Sequence, residues 1–355
     1  MKSKSEMIDF LNRLGEEPGD TAAMLFRLCR APGTPGDETG VRGAAAREFA
    51  PYAETSADAL GNLAAVMGDQ SASAHILVDA HLDQIGLIVT GVDDQGFLHV
   101  DCCGGMDRRV LPGTAVTVYG KETLCGVVAC TPPHLTGGKD GEVPEVSAMT
   151  VDIGCPPETA RELVRPGDRI LFRTEPKKLL GNRVSSPGLD NRASVAVLVR
   201  CAQLLGSQKL RCRVTFLCST REEVGGQGAV AGAYLAGPTR AIAVDVGFAA
   251  QPGVKPEESA KLGGGAMIGF APVLDRSMSE KLVAIAEREH IPYKRDVMGG
   301  DTGTNADALA VTRSGVPTAL VSVPERYMHT PAEVVDLRDI ENTAKLIAEY
   351  IREAE

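Results

Sequence analysis

Four short apolar runs, each followed by polar residues, constrain the fold of this 355-residue chain more than any other feature. They lie at 76–80, 214–218, 241–244 and 318–323, and each has the length and composition of a strand buried in a parallel sheet. Helical periodicity occurs between them, for example at 194–205, where Gly206 is the predicted C-cap, and after Asp336, the predicted N-cap of a final helix. Strands that alternate with helices predict an α/β sheet.

The sequence changes character between residues 87 and 178. Short alternating runs such as 114–119 and 169–172 are separated by Gly-Gly, Pro-Gly and Pro-Pro turns, a pattern typical of a small β-rich domain. The polar, glycine-rich stretch 137–142 predicts an exposed loop. Because the α/β pattern resumes near Gly181, we predict one discontinuous domain, formed by 1–86 and 179–355, with 87–178 inserted into it.

Charge and cysteine content exclude several classes of protein. The net charge is −10, with 47 acidic and 37 basic residues, so we expect neither a nucleic-acid nor a membrane partner. No run approaches the roughly 18 apolar residues of a membrane span, and the first residues lack a signal-peptide core, so a cytoplasmic location is expected. The nine cysteines form no Cys-x-x-Cys pair, which argues against a disulfide framework and a thiolate zinc site.

Polar side chains of the kinds that bind metals follow each apolar run. His81 follows the first, Glu222 and Glu223 follow the second, Asp245 follows the third, and His329 comes shortly after the fourth. In open α/β sheets, ligands bind beyond the carboxyl ends of the strands. We therefore expect these dispersed residues to converge on one crevice.

Two of the motifs have an ordinary structural alternative. Asp83, two residues beyond His81, can hold the imidazole in the tautomer that a metal needs, although His81 could equally be a buried histidine with an ordinary hydrogen bond. Asp190 lies just before a predicted helix, where its ordinary role is N-capping. The two oxygens of its carboxylate could instead bridge two cations about 3.5–4 Å apart.

The remaining candidates are equally open when each is taken alone. Glu222 and Glu223 lie side by side at a strand exit, so Glu223 could bind a metal while Glu222 acts as general base, or both could begin a solvated acidic helix. Asp245 follows an apolar run and needs a partner, either a metal or a basic side chain. His329 lies in a turn-forming stretch, where the alternative is a histidine on a surface loop.

Taken together, these residues suit a metal centre. Two histidines, two aspartates and a glutamate offer the nitrogen and oxygen ligands that zinc, cobalt or manganese accept. In one partition Asp190 bridges two ions, with His81 and Asp245 on one ion and Glu223 and His329 on the other.

At these same residues the sequence resembles the glutamyl aminopeptidase family of tetrahedral aminopeptidases, which includes proteins historically called cellulase M. The resemblance extends over nearly the whole chain, and its motifs keep one order along it. They include Asp58-Ala59-Leu60-Gly61-Asn62-Leu63, Ala80-His81-Leu82-Asp83, Gly104-Gly105-Met106-Asp107, Leu189-Asp190-Asn191-Arg192, Glu222-Glu223-Val224-Gly225, Val244-Asp245-Val246 and Arg326-Tyr327-Met328-His329-Thr330.

The resemblance implies a three-layer α/β/α catalytic domain of the zinc-exopeptidase type, with a mixed, mostly parallel sheet. It implies that 87–178 form a dimerisation domain of β-barrel or PDZ-like character, and that subunits assemble into hollow dodecamers that admit short peptides. The implied activity is removal of N-terminal residues from such peptides by two divalent ions, zinc or cobalt, with manganese possible. The implied roles are Glu222 as catalytic base, Asp83 as the residue that orients His81, and five metal ligands: His81, Asp190, Glu223, Asp245 and His329.

Two departures from the family pattern affect this interpretation. The family usually has Glu directly after the Asp of its first motif, whereas this chain has Gln84. Family members commonly have a Gly-Thr-Asp-Ala-like segment near the C-terminal motif. This chain has Gly303-Thr304-Asn305-Ala306-Asp307-Ala308, with two extra residues before the acid, so the resemblance does not extend to contacts on the substrate side. The alternatives are a related two-metal deacylase or carboxypeptidase, or a non-catalytic peptide-binding assembly protein of the same fold.

Overall fold

The computed structural model describes residues 20–130, 132, 134, 143–206 and 208–354. The predicted loop at 137–142 and the first nineteen residues lie outside these ranges. Within them, the chain forms an eleven-stranded mixed sheet and a separate closed barrel of six strands.

The centre of the large sheet is parallel, as the four apolar runs predict. The runs become strands β3 (His75–His81), β12 (Arg213–Ser219), β13 (Arg240–Phe248) and β16 (Thr318–Arg326). These lie side by side in the order β12-β3-β13-β16 and pair in parallel. Antiparallel strands extend both sides of this centre. The other strands of the sheet are β1 (Glu54–Ala57), β2 (Leu63–Gly68), β10 (Lys177–Lys178), β11 (Arg183–Ser186), β14 (Ala266–Phe270), β15 (Tyr293–Val297) and β17 (Glu333–Asp336).

Helices cover both faces of this sheet, which gives the three-layer α/β/α arrangement. The helices on the sheet are α1 (Thr21–Arg30), α2 (Thr39–Phe49), α4 (Leu189–Leu205), α5 (Gln227–Ala236), α6 (Arg276–Arg288), α7 (Asn305–Ala310) and α8 (Leu337–Arg352), whereas α3 (Pro157–Leu163) packs against the barrel. On strand β3, Ile76 and Val78 belong to the core on the α4 and α8 side, while Leu77 belongs to the core on the α5 and α7 side. This alternation follows from the two-residue repeat of a strand, so a strand that is covered on both faces carries apolar residues on both, and β3 does so with the buried Asp79 as an exception.

Both helix ends that the sequence predicts are present. Helix α4 ends at Leu205, and Gly206 follows with a positive φ of 50°, where its N–H donates to the carbonyl of Ala202. The side chain of Asp336 accepts from the N–H of Arg338 and begins α8.

The six-stranded barrel is made entirely from the β-rich part of the sequence. Its core is a separate cluster of apolar side chains that includes Val100, Val118, Val151 and Ile170. Its strands are β4 (Gly86–Val92), β5 (Leu98–Cys103), β6 (Ala115–Tyr119), β7 (Thr123–Val128), β8 (Thr150–Asp152) and β9 (Arg169–Phe172). All of them pair antiparallel, in the closed order β4-β5-β8-β7-β6-β9.

The third apolar run differs from the expected strand in where it ends. The sequence suggests that Asp245 follows the end of this strand, whereas β13 continues to Phe248. It continues because its backbone keeps pairing with β16 as far as Phe248 and Glu325. Asp245 is therefore an acidic residue inside a strand, and its side chain is buried.

Two further features of the molecule are the state of its cysteines and the character of its helices. The buried cysteines Cys29, Cys103, Cys201, Cys212 and Cys218 form no disulfide. Within the described ranges, no helix combines the length and the apolar character needed to cross a membrane.

We expect His75, at the start of β3, to make the fold sensitive to acid. Its Nε2 lies 2.8 Å from Thr215 Oγ1, and burial followed by the charge of Arg213 lowers its pKa from 6.5 to about 4. As the pH falls from 6.5 toward 4, the unfolded chain binds a proton that the folded chain does not, so the free energy of unfolding decreases. Urea unfolding of the metal-stripped His75→Gln variant should lose less stability between pH 7 and about 5 than the parent chain. An equal loss in both proteins would contradict this assignment.

Candidate metal centre

The predicted site residues lie together at the carboxyl ends of the central strands. His81 is the last residue of β3, and Glu222 and Glu223 follow the end of β12. Asp245 comes from β13, and His329 from the turn after β16. Asp190 is brought to the same place by the start of α4. The convergence depends on parallel pairing, because parallel strands end at the same edge of the sheet.

The side chains form two groups that share one residue. In the first, His81 Nε2 lies 3.2 Å from Asp190 Oδ1 and 3.8 Å from Asp245 Oδ1. In the second, His329 Nε2 lies 3.2 Å from Asp190 Oδ2 and 3.5 Å from Glu223 Oε2. Within each group the potential ligand atoms lie within 4.8 Å of one another. Asp190 is common to both and turns one oxygen toward each histidine.

The electrostatics of the cluster are unfavourable without added positive charge. Burial, followed by the charge of the nearby Asp190 carboxylate, raises the pKa of Glu223 to about 10. Burial also raises the pKa of Asp245 well above its usual range and raises the pKa of Glu222. Burial alone would lower the pKa of His81, but the carboxylates of Asp190 and Asp83 raise it well above 6.5. Two imidazoles are too little positive charge for this number of buried carboxylates.

The donor set fits divalent cations. Glu223 Oε1 is buried and accepts no hydrogen bond from the described residues, which leaves an acceptor free for a metal. The donors are imidazole nitrogens and carboxylate oxygens, which suit zinc, cobalt and manganese. The two groups could each hold one ion, with Asp190 between them.

Glu222 belongs to neither group. Its Oε2 lies 3.9 Å from His81 Nε2, and its side chain retains 17% exposure, compared with 5% for Glu223. A carboxylate beside a metal centre that is not needed as a ligand can accept and release protons.

Asp83 has a different set of contacts from the one expected. Its backbone carbonyl, not its carboxylate, is hydrogen-bonded to His81 Nδ1 at 2.9 Å, and Asp83 Oδ1 lies further from that nitrogen, at 3.6 Å. The carboxylate instead accepts from the backbone N–H groups of Glu222 and Glu223, both at 3.1 Å. Asp83 thus connects the imidazole to the segment that carries the two glutamates.

The turns that present Glu222 and His329 contain strained backbone. Arg221, immediately before Glu222, has a φ of 61°, while Tyr327 and His329 have φ values of 61° and 63°. Residues other than glycine seldom adopt this left-handed conformation, and such strain concentrates at functional sites.

Glu333 has no predicted role from the sequence, yet it lies at the site. Its side chain accepts from the N–H groups of Leu189 and Asp190, at 2.6 and 3.2 Å, and from the N–H of His329 at 3.2 Å. Glu333 therefore joins the segment that carries Asp190 to the segment that carries His329. Two signals were present in the sequence: Glu333-Val334-Val335-Asp336 is one of the stretches that resemble the family, and Glu333 lies in a short apolar strand where a carboxylate needs partners.

The two departures from the family pattern both lie close to the centre. Gln84 is buried against Gly188, two residues before Asp190. Asn305 is also buried, and its amide donates to Asp79 Oδ2 at 2.9 Å and to Ser219 Oγ at 3.0 Å. Gly303 and Thr304, just before it, line the cavity beside the centre. Both positions are therefore packed behind or beside the proposed ligands.

A cavity of about 660 Å³ opens directly onto these side chains. It is lined by all six predicted side chains of the centre: His81, Asp190, Glu222, Glu223, Asp245 and His329. This volume is within the usual range for small-molecule sites, about 300–1,000 Å³. The arrangement can bind two cations and a small substrate, with one glutamate available for proton transfer.

Comparison with known proteins agrees with this chemistry. The sequence pattern of the family described as M42 glutamyl aminopeptidase matches residues 61–346. The lysyl aminopeptidase of Pyrococcus furiosus is 31% identical over 337 residues, which cover 93% of this chain and 96% of that protein. An aminopeptidase structure from the archaeon Desulfurococcus kamchatkensis is 32% identical with a TM-score of 0.88, covering 95% of each chain. The TET1 peptidase of Pyrococcus horikoshii, which can assemble into a tetrahedron or a large octahedral shell, is 34% identical with a TM-score of 0.85, covering 94% of this chain and 99% of that one.

Proposed function

Because this chain belongs to the M42 glutamyl aminopeptidase family and is a metal-dependent aminopeptidase, we propose that it removes N-terminal residues from short peptides at a pair of divalent ions. The position of Asp190 supports a pair of ions. Its Oδ1 lies 3.2 Å from the Nε2 of His81, and its Oδ2 lies 3.2 Å from the Nε2 of His329. A carboxylate in that position suits a bridge between two cations.

We assign the metal ligands as two sets around that bridge. His81 and Asp245 would hold one ion, Glu223 and His329 would hold the other, and Asp190 would contact both. The two groups of ligand atoms support this division. Zinc or cobalt is the proposed metal, with manganese as a further candidate, because all three accept nitrogen and oxygen ligands.

The reaction needs a proton acceptor beside the ions, and we assign that role to Glu222. When bound, divalent ions lower the pKa of a coordinated water toward about 7 and polarise the substrate carbonyl. The Glu222 carboxylate accepts the proton of the attacking water and returns it to the nitrogen of the leaving amine. The backbone N–H groups of Glu222 and Glu223 donate to the Asp83 carboxylate, and the Asp83 carbonyl is hydrogen-bonded to His81. These bonds hold the Glu222 segment in place relative to His81.

A free N-terminus would be favoured by the charge of the cleft. The protonated α-amine of a peptide is attracted to a crevice lined by acidic side chains, whereas an N-acylated peptide has no such charge. This supports an aminopeptidase over a deacylase that uses similar metals.

We further propose how the chain is organised in the cell. Residues 1–86 and 179–355 would carry catalysis, and 87–178 would mediate self-association into a dimer and a dodecamer. The likeness to the TET1 peptidase, which can assemble into a tetrahedron, supports this assembly. A cytoplasmic location is supported by the five buried cysteines that form no disulfide.

Metal removal provides the direct test. The purified enzyme should contain two divalent ions per chain and hydrolyse aminoacyl p-nitroanilides. Chelation to below one ion per chain should abolish hydrolysis, because the remaining groups cannot polarise the carbonyl, and zinc, cobalt or manganese should restore it. Metal content and rate are measured on the same samples, with N-acetylated substrates as the control. Hydrolysis that persists in metal-free protein, or that requires an acylated amine, would exclude the proposal.

A further inference from the structure

One wall of the cavity is acidic although it holds none of the proposed metal ligands. Asp296, on strand β15, lines it together with Asp301 and Glu258. No lysine or arginine of the described residues lines the cavity. The wall therefore carries negative charge that the metal ions are not assigned to neutralise.

Asp296 has no cation within ion-pair distance among the described residues, because the neighbouring cations bind elsewhere. Lys294 Nζ donates to the backbone carbonyls of Glu257 and Ser259, at 2.9 and 2.5 Å. Arg295 forms an ion pair with Glu280 at 2.9 Å and lies over the ring of Phe270. The Asp296 side chain is half-buried, and this burial raises its pKa despite the nearby charge of Lys294. A carboxylate in this condition is stabilised by any cation that enters the cavity.

The position of Asp301 is held by its loop. Thr302 donates to Asp307 through both its N–H, at 3.1 Å, and its hydroxyl, at 2.8 Å, and Gly303 N–H donates to the same carboxylate at 3.1 Å. Asp301 is exposed at the cavity, while Glu258 already forms an ion pair with Lys255 at 2.7 Å. Asp296 is therefore the principal free carboxylate and Asp301 the secondary one.

The rest of this cavity is suited to a long alkyl chain. Phe248, Val297 and Met298 contribute apolar surface next to the acidic residues. Lysine and arginine combine an apolar stem with a cationic end, so a cavity with apolar walls and a carboxylate matches both parts of the side chain.

Resting on the aminopeptidase function proposed above, we propose that this cavity selects a basic N-terminal residue, lysine or arginine, with Asp296 as the specificity-determining residue. An N-terminal glutamate would place its carboxylate among Asp296, Asp301 and Glu258, where like charges repel. The preference is therefore opposite in charge to the one that the description of the family suggests.

The test compares substrates that differ only in the terminal ammonium. Lysyl and norleucyl p-nitroanilide share the same alkyl length, and kcat/KM should favour lysyl by at least about tenfold, since a buried polar site rejects the analogue that leaves it unpaired. Glutamyl p-nitroanilide should be the poorest of the three. In Asp296→Asn the ratio of lysyl to norleucyl kcat/KM should fall about tenfold, and Asp296→Lys should shift the preference toward glutamyl.

Glu257→Gln is the matched control, because it removes a negative charge next to Glu258 but does not line the cavity. It should leave the lysyl-to-norleucyl ratio unchanged. Equal rates for the two substrates, or a ratio that Asp296→Asn leaves intact, would overturn the inference while the aminopeptidase function stands.

A binding measurement separates the two proposals. Calorimetry with free lysine and free norleucine should show tighter binding of lysine, and Asp296→Asn should remove the difference. If no aminoacyl substrate is hydrolysed, the proposed function fails, and the calorimetry still decides whether the cavity selects a cation. Equal binding of the two amino acids would overturn that selection.

Discussion

The Glu222→Gln variant is expected to lose about two to four orders of magnitude in kcat, the usual contribution of a general acid–base residue. Glutamine keeps the size of the side chain but cannot accept a proton from water. Metal content should stay at two ions per chain, because Glu222 belongs to neither group of ligand atoms. The measurements are kcat on an aminoacyl p-nitroanilide and metal analysis of the same sample.

Two further variants identify the cause of that loss. Glu222→Asp keeps a carboxylate at a shorter reach and should lose less activity than Glu222→Gln. Glu122→Gln removes an exposed carboxylate from the barrel and should retain the parent rate. Turnover that is unchanged in Glu222→Gln would remove Glu222 from the role of base, and a simultaneous loss of metal would make it a ligand instead.

The Asp190→Asn variant is expected to affect both ions at once. Its two oxygens lie 3.2 Å from His81 Nε2 and from His329 Nε2, so one substitution removes a ligand from each side. Loss of a residue that hydrogen-bonds to a metal ligand typically weakens metal affinity about 10–100-fold. Loss of a ligand shared by both ions should weaken it by more than the upper end of that range. Hydrolysis should fall to the level of the chelated enzyme.

Metal analysis after dialysis, together with the rate at rising zinc or cobalt concentration, measures this effect. Asp94→Asn, which removes an exposed carboxylate paired with Arg161 on the barrel, serves as the control and should keep both ions. If Asp190→Asn retains two ions with parent affinity, the bridge is wrong. If it retains one tightly bound ion, the partition of the ligands must be revised.

Much of the fold could be predicted because its signals are local. In the run at 76–80 every residue except Asp79 is apolar, and the structure gives the reason, since Ile76 and Leu77 face different cores on opposite sides of one sheet. The side chain of Asp336 suits the start of a helix, and the backbone of Gly206 suits the end of one. Each residue is found at the predicted helix end. The proximity of His81 to Asp245 could also be expected, because both come from strands that pair in parallel.

Other parts of the site could not be predicted, because they depend on contacts between distant segments. The expected role of Asp83 rests on its spacing from His81, yet its carboxylate accepts from Glu222 and Glu223, whose positions are set by the turn after β12. Glu333 lies 144 residues from Leu189, whose N–H donates to it, and no local pattern specifies that hydrogen bond. The end of β13 was misplaced for the same reason, since pairing with β16 extends it past Asp245.

The sequence by itself determined the kind of chemistry: a parallel sheet whose strands end in histidines and carboxylates, and an inserted stretch of β structure. These follow from hydrophobic periodicity and residue type, which act over a few residues. Only the tertiary structure decided that Asp190 lies between two histidines and that Glu222 is left out of both ligand groups. It also decided that Asp296 lines the cavity with no cation from the described part of the chain paired to it. Those facts depend on how separate elements pack, because the charge of a cavity is the sum of side chains that meet only in the folded chain.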